Sequence, residues 1–419
     1  MPTLTLSRSQ RIEQIIQQRQ PLAQTLGAIA AGLTGLIDQH QYLQTYRQTL
    51  SRGTDILPDL PSIEQIIQLR DRIDTLQKRL SRKTLNIGVI GETGAGKSTL
   101  LKSLSNLTDG EIPALAGGAC TAVRSTVINQ AGETYATVNL HSEQSFLAEV
   151  IAPYFEQLKL GPTPRNLDEF AAFPLSDSPP EGASKEKMYQ HLRDDYHQNL
   201  DRYRHLLNRS EPETITISRE QIPSCATQTR DAQGQLTTFT HIGVRELTIY
   251  CPFGKDASAF GQVALVDVPG MGDTRLGDEK LMLQTLAQSV DVVLFVHRPD
   301  PLRYLWKKTT LSLYETASEA LTPFDERVFM LLNYSRNNDN AKACQTLLQN
   351  LDPIQVVEAS IVDCASQTET QRILDGILNY LTDHIQRLDR QSLRSPISEL
   401  RTLLKTLPVK IPAAAELFQ

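Results

Sequence analysis

The chain has 419 residues, 40% of them apolar and 21% charged, with a formal net charge of −6. That is the composition of an ordinary globular protein of two or three structural units, and it gives no support for nucleic acid or an anionic membrane as the main partner. The five cysteines, Cys120, Cys225, Cys251, Cys344 and Cys364, are far apart and form no CxxC pair. They argue for free thiols in a reducing compartment and against a zinc site. The N-terminus lacks the basic-then-apolar layout of a signal peptide, and no apolar run approaches the ~18 residues of a spanning helix. The longest candidate, Leu26 to Ile37, is short and rich in Gly and Ala, which reads as a packed helix face. A cytoplasmic protein is expected.

In chain order, residues 9–49 carry apolar residues at helical spacing (Ile12, Ile15, Ile16, Leu22, Leu26, Ile29), with Pro21 expected to break or kink the helix. A loop at Gly53 to Pro61 precedes a second helix over 62–82, striped by Ile63, Ile66, Ile67, Leu69, Ile73, Leu76 and Leu80. From Leu85 the period changes. LNIGVIG, RELTIYCPF, QVALVDVPG, DVVLFVHR, RVFMLLN and ASIVDCAS are β-type runs, several of them separated by helical stretches. Apolar strands alternating with helices predict an α/β domain with a mostly parallel sheet. Residues 141–210 depart from that rhythm: they are helical and charged, broken at Pro179-Pro180, and read as an insertion. A turn is expected at Asp231–Gly234, and a final helix from about Gln371 to Pro408, with a loose tail after it.

Three motifs carry chemistry. GETGAGKST, comprising Gly91, Glu92, Thr93, Gly94, Ala95, Gly96, Lys97, Ser98 and Thr99, follows a strand and opens a helix. Its glycines let backbone N–H groups curl inward around phosphate oxygens, and the helix N-terminus adds its positive end. Lys97 can bridge the β- and γ-phosphates, and the Ser98 hydroxyl can ligate Mg2+. In LVDVPGMGDT, Asp267 ends an apolar strand where a carboxylate can hold Mg2+ through water, and the Gly270 N–H can meet the γ-phosphate. No DE pair of the ATPase kind is present, which favours the GTPase branch of P-loop proteins. In ALAGGACTAVRSTV, Thr121 lies in a Gly-rich loop before a strand-like run, where a switch threonine would reach Mg2+; Thr126 is its rival.

In this order GETGAGKST, GGACTAV and DVPGMGD resemble the dynamin-like large GTPases, over roughly residues 85–385. The ACTAV wording and the helical insertion resemble the branch that includes the germinal-centre nuclear GTPase. The resemblance implies a P-loop G domain with a mostly parallel sheet flanked by helices, and N- and C-terminal helices that form a bundle. It divides the chain into an N-terminal helical segment (1–84), the GTPase domain (85–385, helical insertion at about 135–240 between the switches) and a C-terminal helical segment and tail (386–419). It also implies GTP and GDP as ligands and nucleotide-dependent pairing of G domains into a homodimer. No long stalk or lipid-binding loop is read after the G domain, and membrane contact has no support in the sequence.

GTPases read guanine with [NT]KxD, whose Asp accepts from two guanine N–H groups. Here the strand ends Asn333-Tyr334-Ser335-Arg336. Asn333 is retained and Tyr334 can cover the base, but Arg336 has only donors. Asp339 would need a different loop shape. Ala365 and Ser366, in the run CAS, stand where a backbone N–H would meet guanine O6. Losing a bidentate charged contact costs about 2–3 kcal/mol and most of the guanine preference. Met271 follows Gly270 where a water-positioning Gln often stands, so Lys97, Thr93 and Thr121 are the catalytic candidates, with Glu92 and Arg124 beside them, and slow intrinsic hydrolysis is expected. The alternatives are a nucleotide switch or scaffold with relaxed base selectivity and little hydrolysis, and a P-loop ATPase or nucleotide kinase. RPDPLRYLWKK (Arg298 to Lys308) holds the only Trp and is a candidate protein-partner surface; the plainer reading is a solvated loop leading into a helix at 309–320. The charged helix 183–208 reads as a solvated amphipathic face, and His191, His197 and His205 lack metal-pair spacing.

Overall fold

Leu85–Ile90 forms β1, and all six of its residues are buried. A strand covered on both faces reads as a continuous apolar run, and β1 lies inside the parallel part of the sheet, with a parallel neighbour on each side. The protein's computed structural model describes residues 6–49, 62–108, 111–112, 124–176, 182–226, 235–254, 257–268 and 278–406. The expected loop at 53–61, the Pro179-Pro180 break, the turn at Asp231–Gly234 and the tail after Pro408 lie outside the described residues.

The other strands are β2 (Arg124–Asn129), β3 (Tyr135–Leu140), β4 (Glu213–Ser218), β5 (Val244–Cys251), β6 (Val263–Asp267), β7 (Val292–His297), β8 (Val328–Asn333) and β9 (Glu358–Val362). They make one nine-stranded sheet in the order β4-β3-β5-β2-β6-β1-β7-β8-β9. From β6 to β9 every pairing is parallel. The chain therefore leaves these strands along one edge, where ligands of open α/β sheets bind. Helices Asp278–Ser289, Lys308–Ala320 and Ala341–Gln349 contribute Met282, Leu286, Leu313, Ala317, Cys344 and Leu347 to the core that buries β1, β7 and β8.

Two strands escape the sequence reading, and β2 shows in it only as a strand-like run. β3 buries alternate residues and β4 only Ile217. Both pair antiparallel and extend the sheet beyond β5. Between them lies the helical insertion, and its charged segment 183–208 is not one solvated helix. It divides into Ala183–Gln190, a π-helical His191–His197, Leu200–Tyr203 and a short 3-10 turn. Its apolar side faces a local core with Phe146, Phe155, Phe170, Leu192 and Tyr203. His191 hydrogen-bonds the Tyr154 hydroxyl at 2.5 Å and faces the Asp195 carboxylate at 3.1 Å, so this histidine serves packing.

The described chain forms two units: residues through Glu13 with Thr84–Thr382, and Gln14–Lys83 with Asp383 onward. In the second unit, parts of the helices Arg8–Thr49 and Gln367–Thr406 and all of Ile63–Leu80 share a core of Leu26, Leu33, Ile66, Ile73, Leu393 and Leu400. Of the expected break or kink at Pro21, the break does not occur: the helix runs through it. Pro21 is solvent-exposed, and burial of Arg19, Ala23 and Leu26 on either side holds the helical path. The last helix starts at Gln367 rather than Gln371 because Ser366 Oγ accepts the Glu369 N–H at 3.4 Å as its cap.

Arg19 and Asp389 form a buried, two-pronged ion pair in this helical unit, with N–O distances of 2.7 and 3.0 Å. Breaking such a pair by removing one partner strands a buried charge, at about 3–5 kcal/mol. Asp389→Ala is therefore expected to destabilise the unit by roughly 3 kcal/mol in a urea titration. An Arg19→Met/Asp389→Leu double variant should regain most of that loss.

Candidate functional site

β1 delivers the chain into Gly91–Gly96, and the helix Lys97–Ser105 begins at once with Gly96 as its cap. Two glycines in this loop are required by contact. A Cβ at Gly91 would stand 2.3 Å from the Val296 carbonyl oxygen of β7. A Cβ at Gly96, whose φ is 110°, would stand 2.3 Å from Asn333 Nδ2. The loop is thus pressed onto β7 and β8 and leads straight into a helix N-terminus, the arrangement that receives phosphate. Lys97 Nζ donates to the carbonyls of Gly91 at 2.8 Å and Glu92 at 3.3 Å, which holds the ammonium over the loop. Thr93 and Gly94 are exposed at the loop's tip, and Ser98 and Thr99 are half-buried on the helix's first turn.

Asp267 ends β6 in register with Val89 of β1, and its side chain is buried. The structure therefore brings this carboxylate beside the strand that carries the phosphate loop. Ser98 and Asp267 supply the hydroxyl and carboxylate oxygens that a hard cation takes. Among the described residues no cluster of three or more His, Cys, Asp or Glu side chains forms a metal site of its own. Thr121 and Gly270, the two switch candidates, and Met271 lie outside the described residues.

At the end of β8, Asn333 is buried and both ends of its amide are engaged within the protein. Its Nδ2 donates to the Ala95 carbonyl at 2.8 Å, and its Oδ1 accepts the Cys364 N–H at 3.2 Å. It joins the phosphate loop to the loop after β9. Ser103 reinforces that joint by donating to the Cys364 carbonyl at 2.7 Å, and burial pushes the Cys364 thiol up to about 12. The sequence reading missed Asn340. This fully buried residue donates to the carbonyls of Asn333 at 3.0 Å and Pro299 at 3.3 Å, and accepts the Ser335 N–H at 3.0 Å. Its only signal in the sequence was an Asn opening the helix that follows the loop. Tyr334 is half-buried against the core, Arg336 and Asp339 are exposed, and Asp339 is left-handed at φ 46°. The Ala365 N–H donates to the Asp363 carboxylate at 2.9 Å and Ser366 caps the last helix.

The Glu92 side chain is engaged by the segment after β7. Its carboxylate accepts from the hydroxyls of Thr309 and Thr310, the latter at 2.8 Å, and lies 3.6 Å from the Lys307 ammonium. Burial works to raise its pKa, but those hydrogen bonds and the Lys307 charge outweigh it and hold the carboxyl below its usual value. Thr310 also contacts His297 at 3.3 Å, and His297 packs against Trp306 with ring centres 5.2 Å apart. Burial lowers His297 to about 4, so it is neutral near neutral pH.

Two outcomes follow from this geometry. Asn333→Ala leaves a buried carbonyl and a buried N–H without their partner and should cost about 2–4 kcal/mol, read by denaturant titration, together with a loss of nucleotide affinity. For His297 the folded pKa lies below the ordinary 6.5. Its contribution is full above pH 6.5 and is lost as pH falls toward 4. Wild type should thus lose roughly 3 kcal/mol relative to His297→Gln across that window, measured by unfolding at each pH.

The chain matches the dynamin family over residues 87–301. No curated protein sequence matches it. Two similar solved structures each come from work on an oligomerised bacterial dynamin pair, described as a mechanism for long-range sensing and tethering of membranes. The first is 10% identical with a TM-score of 0.43 and covers 90% of this chain and 47% of its own. The second is 11% identical with a TM-score of 0.40 and covers 90% and 46%. The chain spans about half the length of the structures it matches. The family match takes in more than half of the chain, from the strand before the phosphate loop to the loop after β7, and the chain belongs to the dynamin family.

Proposed function

We propose that this dynamin-family protein binds GTP and GDP at the Gly91–Thr99 loop and hydrolyses GTP with Mg2+. The observation that carries this reading is the loop itself, whose shape is fixed by the contacts of Gly91 and Gly96 and which lies beside Asp267. Lys97 holds the β- and γ-phosphates, and the loop's N–H groups surround them, apart from that of Ala95, which donates to the Glu92 carbonyl at 3.1 Å. Ser98 and Asp267 would hold the cation, with Thr121 joining them when the γ-phosphate is present. Bound there, Mg2+ supplies neutralisation of phosphate charge. Gly270 would meet the γ-phosphate.

The base is covered by Tyr334, and the loop that receives it is shaped by Asn333 and Asn340. Neither Arg336 nor the Asp363-bound Ala365 N–H supplies the usual guanine reading. The proposal therefore includes relaxed base selectivity. Hydrolysis is slow in the isolated chain, because Met271 stands in place of Gln and Glu92 is committed to Thr309 and Thr310. Self-association of G domains completes the site; Leu302 and Leu305, exposed on the loop after β7, offer apolar surface for it or for another protein partner. The ACTAV motif and the insertion support the branch of the germinal-centre nuclear GTPase. Four buried free thiols, Cys225, Cys251, Cys344 and Cys364, fit a cytoplasmic setting. Among the described residues no helix is long and apolar enough to cross a membrane, and membrane contact forms no part of the proposal. The unavailability of the Glu92 carboxylate favours a second reading, a nucleotide switch with little hydrolysis.

Phosphate release from GTP with Mg2+, measured across protein concentrations, decides between them. The GTPase reading expects a specific activity that rises with concentration and is lost in Lys97→Ala. Nucleotide binding with no release at any concentration would establish the switch, and a flat specific activity would remove the self-association.

A further inference from the structure

Glu92 stands second in the phosphate loop, and its two polar ends point to different places. Its backbone carbonyl accepts from Lys97 at 3.3 Å. Its carboxylate accepts from Thr309 and Thr310, at the start of the helix Lys308–Ala320, with Lys307 at 3.6 Å. A carboxylate in a phosphate loop adds a negative charge near the ligand's own negative charge, which opposes binding unless it is engaged elsewhere and compensated. The three partners from the segment after β7 do both. Thr310 is fully buried and also meets His297, against which Trp306 packs. A continuous line of contacts therefore runs from the Lys97 ammonium through Glu92 to the chain's only tryptophan.

We infer that Glu92 is a positioning residue that couples the phosphate loop to the segment Trp306–Thr310, so that nucleotide binding and the placement of that segment are linked in both directions. This deepens the proposed function and rests on nucleotide binding at the Gly91–Thr99 loop. Lys97 must share its protons between two loop carbonyls and a phosphate once a ligand enters. The Glu92 backbone shifts with that change, and its carboxylate carries the shift to the two threonines. By linkage, holding the threonines in place changes nucleotide affinity by the same factor that the nucleotide changes their placement. The plainer role, a fixed brace for the loop, predicts no movement at Trp306.

The single tryptophan makes the distinction measurable on the full chain. Binding is measured with radiolabelled, non-hydrolysable GTP analogue and Mg2+ by filter retention, and Trp306 emission is recorded over the same titration. Wild type is expected to bind and to change its emission on the binding curve. A Thr309→Val/Thr310→Val double variant should still bind, with the emission change reduced at least fivefold, and Thr309→Ser/Thr310→Ser should restore it. Thr309→Val alone, at an exposed position that does not threaten folding, should reduce the change at least twofold. Binding with no emission change in wild type, or an unaltered change in the valine variants, overturns the coupling while leaving nucleotide binding in place. Absence of binding in wild type overturns nucleotide binding itself, and the coupling with it.

Discussion

Asn333 closes a gap that the sheet alone leaves open. The phosphate loop ends β1 and the Cys364 loop ends β9, and between them stand β7 and β8. Each loop buries a backbone group, the Ala95 carbonyl and the Cys364 N–H, and one amide pairs both. An unpaired buried group of this kind costs about 1–3 kcal/mol, so the side chain fixes where the two loops lie. Gly96 is the counterpart of this contact, since any side chain there would collide with the Asn333 amide. Asn340 then fixes the backbone of Asn333 from behind. Phosphate cradle and base loop are thus one hydrogen-bonded piece. This constraint explains how a site can keep its Asn while lacking the Lys and Asp of a guanine reader: the Asn has a structural task that does not depend on the base.

How much of this was legible depended on distance along the chain. The phosphate loop was readable because its glycines, lysine and serine are contiguous and sit between a β-type run and a helix. Strands β1, β6, β7 and β8 were readable because burial on both faces makes them almost uniformly apolar. β4 was not, since it has one buried residue in six and looks like the loop around it. The aromatic core of the insertion was hidden because its segment is also densely charged, and composition does not reveal which side of a short helix is covered. The direction of the Glu92 carboxylate was beyond a sequence reading, because its partners Thr309 and Thr310 lie more than two hundred residues away. Pro21 shows the same limit from the other side: a local rule allowed a break or a kink, and with its neighbours buried in the helical unit the helix continues through it unbroken.

The family match spans residues 87–301, which include the phosphate loop and Asp267, and ends before the loops after β8 and β9. In the proposed function Lys97, Ser98 and Asp267 act on phosphate and cation, groups that every nucleoside triphosphate brings. In that proposal discrimination rests on Tyr334, Arg336 and the Asp363–Ser366 loop. Tyr334 offers a face to any purine, the Arg336 donors do not match the N–H edge of guanine, and the Ala365 N–H is held by Asp363. The account therefore separates strong phosphate binding from weak base reading.

That separation is tested most directly by a competition titration. Purified protein with Mg2+ and a labelled GTP analogue is challenged with GTP, ATP and GDP. The account predicts that all three displace the analogue and that GTP and ATP do so within about tenfold of one another. A GTP advantage of a hundredfold or more would contradict it and would mean that residues other than Tyr334, Arg336 and the loop after β9 read the base.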